Sequence, residues 1–219
     1  MAVAASAAGR LPESVSILPV TKGFPSEKLR DIVAAGFHVV GENRVGEAEA
    51  KQDMLPDLKV SYHMIGHLQR NKAVAAIRVF DRIDSVDSVR LARRLDAVGT
   101  AAECTAFPVL VQVNASGETS KGGLPIEDAI AGVGSICELE GLRVEGLMTM
   151  APIDADERTL HQVFSRVRRC LESCREQIVE FEGTELSMGM SGDFEIAIDE
   201  GATQVRLGTV LLGERREWI

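Results

Sequence analysis

Short apolar runs alternate with amphipathic helical patterns along the whole chain, and this regularity limits the choice of fold more than any other feature. Strand-like runs fall at residues 15–20, 38–41, 60–65, 79–83, 108–113, 144–148, 185–188 and 204–207. Several are continuously apolar or β-branched, as in Val109-Leu110-Val111-Gln112-Val113. A strand of that kind is covered on both faces, as in a parallel sheet. Between the runs, Leu160, Val163, Phe164, Val167, Leu171, Cys174 and Ile178 repeat at helical spacing over five turns. Leu91, Leu95 and Val98 repeat the pattern on a shorter scale, as do Ile126, Ile130, Val133 and Cys137.

Eight such units in 219 residues leave little room for anything but a strand, a helix and two short loops each. Unbroken β/α alternation predicts an α/β fold with a parallel sheet and helices outside it. Eight units predict a single (β/α)8 TIM barrel near the lower size limit of ~200 residues, with an open doubly wound sheet as the alternative. The expected organisation is a short mobile segment over residues 1–14, followed by one barrel domain over 15–219.

Composition removes several classes of function. Lys and Arg number 24 against 33 Asp and Glu, a formal charge of −9, so no basic surplus exists to displace counterions from nucleic acid or an anionic membrane. No run approaches the ~18 apolar residues that span a bilayer. The first ten residues lack the basic and apolar regions of a signal peptide, so the expected location is cytoplasmic. Cys104, Cys137, Cys170 and Cys174 form no CxxC pair. Cys170 and Cys174 fall on the apolar stripe of the long helix and read as reduced core thiols.

In a barrel, functional residues gather where strands end. The first strand runs into Val20-Thr21-Lys22. An amine at the barrel mouth is partly desolvated, which lowers its pKa and suits it to condense with an aldehyde. A lysine snorkelling from a strand end is the plainer reading. The seventh strand runs into Ser187-Met188-Gly189-Met190-Ser191-Gly192-Asp193, just before a short helix, and the eighth into Arg206-Leu207-Gly208-Thr209. Glycines and hydroxyls after strands 7 and 8 mark the usual phosphate position in such barrels. Asp193 and Glu195 oppose that reading unless their carboxylates point away. His63 is expected to line the mouth. His63 and His67 have the i, i+4 spacing of a helical metal pair, but the segment is strand-like, so no metal site is expected. Lys121, in the polar loop 117–122, is either a second phosphate ligand or part of a solvated loop.

A lysine on the first strand and a phosphate cradle on the last two suggest one ligand with an aldehyde and a phosphate, pyridoxal 5′-phosphate. Arg206 could then reach the pyridine nitrogen as an always-charged donor, limiting the ring's use as an electron sink. A phosphate-sugar enzyme that forms an imine on Lys22 is a competing reading, as is an ion pair between Arg206 and Glu42, Asp84 or Glu214.

These residues resemble a known family. The carrying stretches include Val20-Thr21-Lys22, Gly41-Glu42-Asn43-Arg44-Val45, Ile65-Gly66-His67-Leu68-Gln69-Arg70-Asn71-Lys72, and residues 83–88, 112–114, 120–123, 146–150, 186–197 and 200–208. The chain resembles the pyridoxal phosphate homeostasis proteins, also called the proline synthase co-transcribed family, from about residue 15 to residue 215. The resemblance implies a barrel like the N-terminal domain of alanine racemase and pyridoxal phosphate held as a Schiff base on Lys22. It implies phosphate ligands at Ser191, Gly192, Gly208 and Thr209, and a pyridine-nitrogen partner at Arg206. Asn43 would line the ring, with Met188 or Met190 nearby. It further implies a carrier or buffer of the cofactor, serving pyridoxal-phosphate-dependent apoenzymes, as a monomer or weak homodimer without established turnover. Thr21 stands where the family usually has Ser.

The alternative within the same cofactor class is a weak amino-acid racemase. Racemisation needs a second base on the opposite face of the cofactor. The only tyrosine, Tyr62, lies within a strand, and only thirteen residues follow Arg206. The expectation is therefore a binding protein and not an enzyme.

Overall fold

Each apolar run becomes a strand, and the strands close into a ring. The computed structural model describes residues 1–102, 104, 106–118 and 121–214. In chain order the elements are α1 (Ala2–Ala7), β1 (Ser16–Pro19), α2 (Glu27–Ala34), β2 (Val39–Glu42), α3 (Val45–Met54), β3 (Ser61–Met64), α4 (Ala73–Val79), β4 (Arg82–Val86) and α5 (Val89–Ala101). They continue with β5 (Phe107–Asn114), β6 (Leu124–Pro125), α6 (Ala129–Cys137), β7 (Leu142–Met148), α7 (Glu157–Gln177), β8 (Glu185–Ser187), α8 (Phe194–Asp199), β9 (Gln204–Leu207) and α9 (Thr209–Leu212).

The sheet order is β1-β9-β8-β7-β5-β4-β3-β2, and every pairing is parallel. Two-residue β6 pairs with β5 off this path. The ends of the path meet through a parallel bridge between Val20 and Gly41, where the Thr21 N–H donates to the Gly41 carbonyl at 3.0 Å. Eight strands therefore form a barrel, and the open-sheet alternative fails because its two edges are joined. β5 shows why the alternation predicts this: five successive residues, Val109 to Val113, are buried, covered by helices on one side and the barrel interior on the other.

Most of the core lies between strands and helices. α7 buries Leu160, Val163, Phe164, Val167, Cys170, Leu171 and Cys174 along one face. Its start is capped by Asp156, whose side chain accepts from the Thr159 N–H at 2.8 Å. A smaller apolar cluster of Leu18, Val20 and Ile65, with Val39 against it, fills part of the barrel interior.

Two expectations change. The fourth strand, expected at 79–83, is β4 at Arg82–Val86. Val79 instead ends α4, where Ala73, Ala76 and Val79 bury one helical face. Asp84 and Ser85 therefore lie inside the strand and not beyond it. The first fourteen residues, expected as a mobile segment, carry α1 with Ala5 fully buried. Arg10 Nη1 donates to the carbonyls of Ile198 and Ala202, both at 2.8 Å, which ties this segment to the end of α8.

Candidate functional site

Lys22 sits on a turn just past β1. The Phe24 N–H donates to the Thr21 carbonyl at 3.0 Å, closing residues 21–24. Gly23 has φ 71°, the left-handed value that the third position of a type II turn requires. The turn places Lys22 in the wall of a cavity of about 660 Å³ at the C-terminal ends of the strands.

The same cavity is lined by Asn43 after β2, by Ser191 and Gly192 after β8, and by Arg206, Gly208 and Thr209 at the end of β9. Seven of the nine residues expected at a site are thus brought together from four strand ends. Asn43 is seated by its neighbour after β3: a Cβ at Gly66 would stand 2.8 Å from the Asn43 Cα and 2.9 Å from its Cβ. Only glycine lets the two loops approach so closely.

Arg206 is 4% exposed and its guanidinium is held rigidly. Nη1 donates to the Ser187 carbonyl at 2.6 Å and to the Ser187 hydroxyl at 3.0 Å, and Nη2 donates to the Thr149 carbonyl at 2.7 Å. Burial lowers its pKa to about 10, so it stays cationic at neutral pH. In the loop before α8, Asp193 Oδ1 accepts from the Met190 N–H at 2.5 Å. This oxygen of the carboxylate is turned onto its own loop, and burial pushes the Asp193 carboxyl upward against the pull of the Met190 N–H and Arg206; Glu195 is exposed on the first turn of α8. The backbone amides of Ser191 and Gly192 meet no acceptor among the described residues.

Deeper in the barrel lies a charged cluster. Arg82 Nε and Nη2 reach Asp84 at 2.7 and 3.0 Å, Nη2 reaches Gln204 at 3.2 Å, and both terminal nitrogens contact Glu185. His63 belongs here. Its Nδ1 stands 3.7 Å from Asp84 Oδ2, and it does not line the cavity. Along β3 the parity is that of Ile65, but His63 lies one layer lower. Met188 is corrected likewise. It is fully buried in the shell between strands and helices, because Ser187 faces inward and its neighbour must face outward. Met150 and Met190 line the cavity in its place.

The rim also holds a pair that the sequence reading passes over: His67 Nδ1 lies 2.9 Å from Asp87 Oδ2, and both residues line the cavity. Gln112 is a second omission, its Nε2 donating to the Gly122 carbonyl at 2.8 Å. A polar residue inside the otherwise apolar run 109–113 is the available signal. With His63 inside the barrel and His67 70% exposed, the two do not form a metal pair. One group of possible metal ligands, His161, Asp199 and Glu200, occurs among the described residues, between α7 and α8. Glu200 already pairs there with His161 at 2.8 Å and Arg168 at 3.2 Å. Lys121 pairs with Glu118 at 3.1 Å and donates to the Ala151 carbonyl, outside the cavity wall. Its loop neighbours Thr119 and Ser120 lie outside the described residues. Tyr62 faces the outer core, where burial pushes its hydroxyl up to about 12. Among the described residues no helix is long and apolar enough to cross a membrane.

Residues 6–216 match the family model for the alanine racemase N-terminal domain. The pyridoxal phosphate homeostasis protein of Pseudomonas aeruginosa is 41% identical over 212 residues, covering 97% of this chain and 90% of that protein. Its namesake in Escherichia coli is 35% identical, covering 98% and 92%. Among solved structures, PipY of Synechococcus elongatus is 38% identical over 95% of this chain and 97% of its own. Its TM-scores are 0.88 without PLP and 0.86 with PLP bound. Alanine racemase of Clostridium difficile, 16% identical with a TM-score of 0.80 over 97% of this chain and 58% of that one, shares the fold alone. The chain belongs to the pyridoxal phosphate homeostasis protein family.

Proposed function

We propose that this chain binds pyridoxal 5′-phosphate in the barrel-mouth cavity, attached through Lys22, and that it carries or buffers the cofactor without turning over a substrate. The observation that carries this reading is the convergence of an amine, a fixed cation and two loops of glycines and hydroxyls on one cavity. That donor set fits the ligand end to end. When bound, the cofactor supplies an aldehyde reactive toward amines and a ring able to accept electrons.

Lys22 would anchor the aldehyde end. Ser191, Gly192, Gly208 and Thr209 would hold the phosphate through amides and hydroxyls. Arg206 would face the ring nitrogen with a charge that keeps that nitrogen unprotonated, and Asn43 would pack along the ring. Such an arrangement holds a cofactor more readily than it drives carbanion chemistry. Tyr62 lies outside the cavity, so the obvious phenolic base is missing from its wall. Release to pyridoxal-phosphate-dependent apoenzymes in the cytoplasm, from a monomer or weak homodimer, completes the reading.

The test is hydride trapping. Protein loaded with pyridoxal 5′-phosphate is reduced with borohydride and peptide-mapped. The label is expected on Lys22 and is lost in Lys22→Ala. A map with Lys22 unlabelled overturns the assignment. Steady racemisation of alanine or serine above that of free cofactor overturns the carrier half and favours the weak racemase.

A further inference from the structure

A long side chain on a turn is poorly aimed unless something fixes the backbone beneath it. Both neighbours of Lys22 are fixed from α3. Lys51 Nζ donates to the Thr21 carbonyl at 2.7 Å, to Glu42 Oε1 at 2.5 Å and to Glu47 Oε1 at 2.9 Å. The Thr21 hydroxyl donates to the same Glu42 oxygen at 2.5 Å, and the Gly23 N–H donates to Glu47 Oε1 at 2.6 Å. One ammonium and two carboxylates therefore grip residues 21 and 23, on either side of residue 22.

Position 51 makes a packing role alone a poor account. α3 buries Val45, Ala48 and Lys51 in one row, where an aliphatic residue would serve stability better. Lys51 is 5% exposed and Glu42 fully buried, and such pairs gain little net stability over apolar replacements. The Oε2 of Glu42 finds no partner among the described residues, and burial pushes its carboxyl up. For Glu47, burial acts the same way, but the Lys51 ammonium and the Gly23 amide outweigh it and hold the carboxyl below its usual range.

We infer that Lys51, acting with Glu47 and Glu42, is a positioning residue that locks the turn at 21–23 and thereby aims the Lys22 amine into the cavity. This rests on the cofactor reading above. It makes a prediction that a structural role would not: loss of the clamp impairs attachment at Lys22 and leaves the rest of the cavity intact.

Two probes separate these effects. Pyridoxal 5′-phosphate requires the amine. Pyridoxamine 5′-phosphate has the same ring and phosphate but no aldehyde. In Lys51→Met, hydride-trapped label on Lys22 at subsaturating pyridoxal phosphate is expected to fall about tenfold, the scale of a modest misplacement, with pyridoxamine phosphate affinity unchanged. Should Lys51→Met fail to fold because Glu42 is left alone, Glu47→Ala and Glu47→Gln carry the test. Glu47→Gln keeps an acceptor for the Gly23 N–H and retains labelling, whereas Glu47→Ala loses it. Equal loss of both probes in a folded variant, or identical labelling of Glu47→Ala and Glu47→Gln, overturns the inference. An unlabelled Lys22 in the unmodified protein overturns the cofactor reading instead.

Discussion

Along β1 to β3 the barrel interior is closed by Leu18, Val20, Val39 and Ile65, with His63 at the boundary beside Asp84, whereas β4, β8 and β9 fill the other side with Arg82, Asp84, Glu185, Gln204 and Arg206. The apolar side excludes water and adapts to small changes in shape. The charged side holds donors in fixed directions, and each charge depends on its partners. Lys22 stands above the first and Arg206 at the top of the second, so a ligand spanning the cavity would meet an apolar floor at one end and a rigid cationic one at the other.

The largest expected effect comes from breaking the charged side. Burial disfavours the Arg82 charge, but Asp84 and Glu185 more than offset this. Arg82→Met takes the arginine from Asp84 and Glu185 and leaves Glu145 only its Arg143 partner, and should cost about 3–5 kcal/mol in urea unfolding. A loss below about 1 kcal/mol would mean that the cluster is not integrated as described. The same cluster has a pH signature. Burial opposes the Asp84 charge, yet His63 and Arg82 outweigh it and hold the carboxyl below its usual range. Its charge therefore adds stability above about pH 4 and loses that effect as pH falls through the depressed value. The stability gap between the unmodified protein and Asp84→Asn should narrow from pH 7 to pH 3, and a gap that widens contradicts the assignment.

The apolar side should yield less. Leu18 is 1% exposed, and Leu18→Ala removes buried methyl groups for a cost of about 2–4 kcal/mol, set by how far the interior relaxes. Because no charge is orphaned, that cost should be the same at pH 7 and pH 3. If it varies with pH as strongly as the Asp84→Asn gap, the two sides are not independent.

The division between legible and illegible features has a physical cause. The barrel is legible because burial on both faces writes continuous apolar runs such as 109–113, and because α7 shows one apolar stripe over five turns. The start of β4 is not legible because Val79 and Phe80 are apolar whether they end a helix or begin a strand, and only packing decides between them. Lys22, the loop after β8 and Gly208-Thr209 were legible because strand ends mark the functional face of any such barrel. The clamp on Lys22 was not. Lys51 and Thr21 are thirty residues apart, and no local pattern announces that a helix lysine will reach back to a strand end.

The smallest expected effect bears on strand parity. Met188 follows Ser187 in β8, and a shift of one residue would exchange the two, bringing the methionine to the cavity. In the structure Ser187 accepts from Arg206 inside the barrel, and Met188 packs outside among apolar side chains. Met188→Leu conserves volume and should cost less than about 1.5 kcal/mol, with no change in pyridoxal phosphate affinity or spectrum. Met190→Leu, at the cavity wall, should alter both. If the position-188 substitution shifts the spectrum and the position-190 substitution does not, the register of β8 is wrong by one. Arg206 would then lose the hydroxyl that orients it.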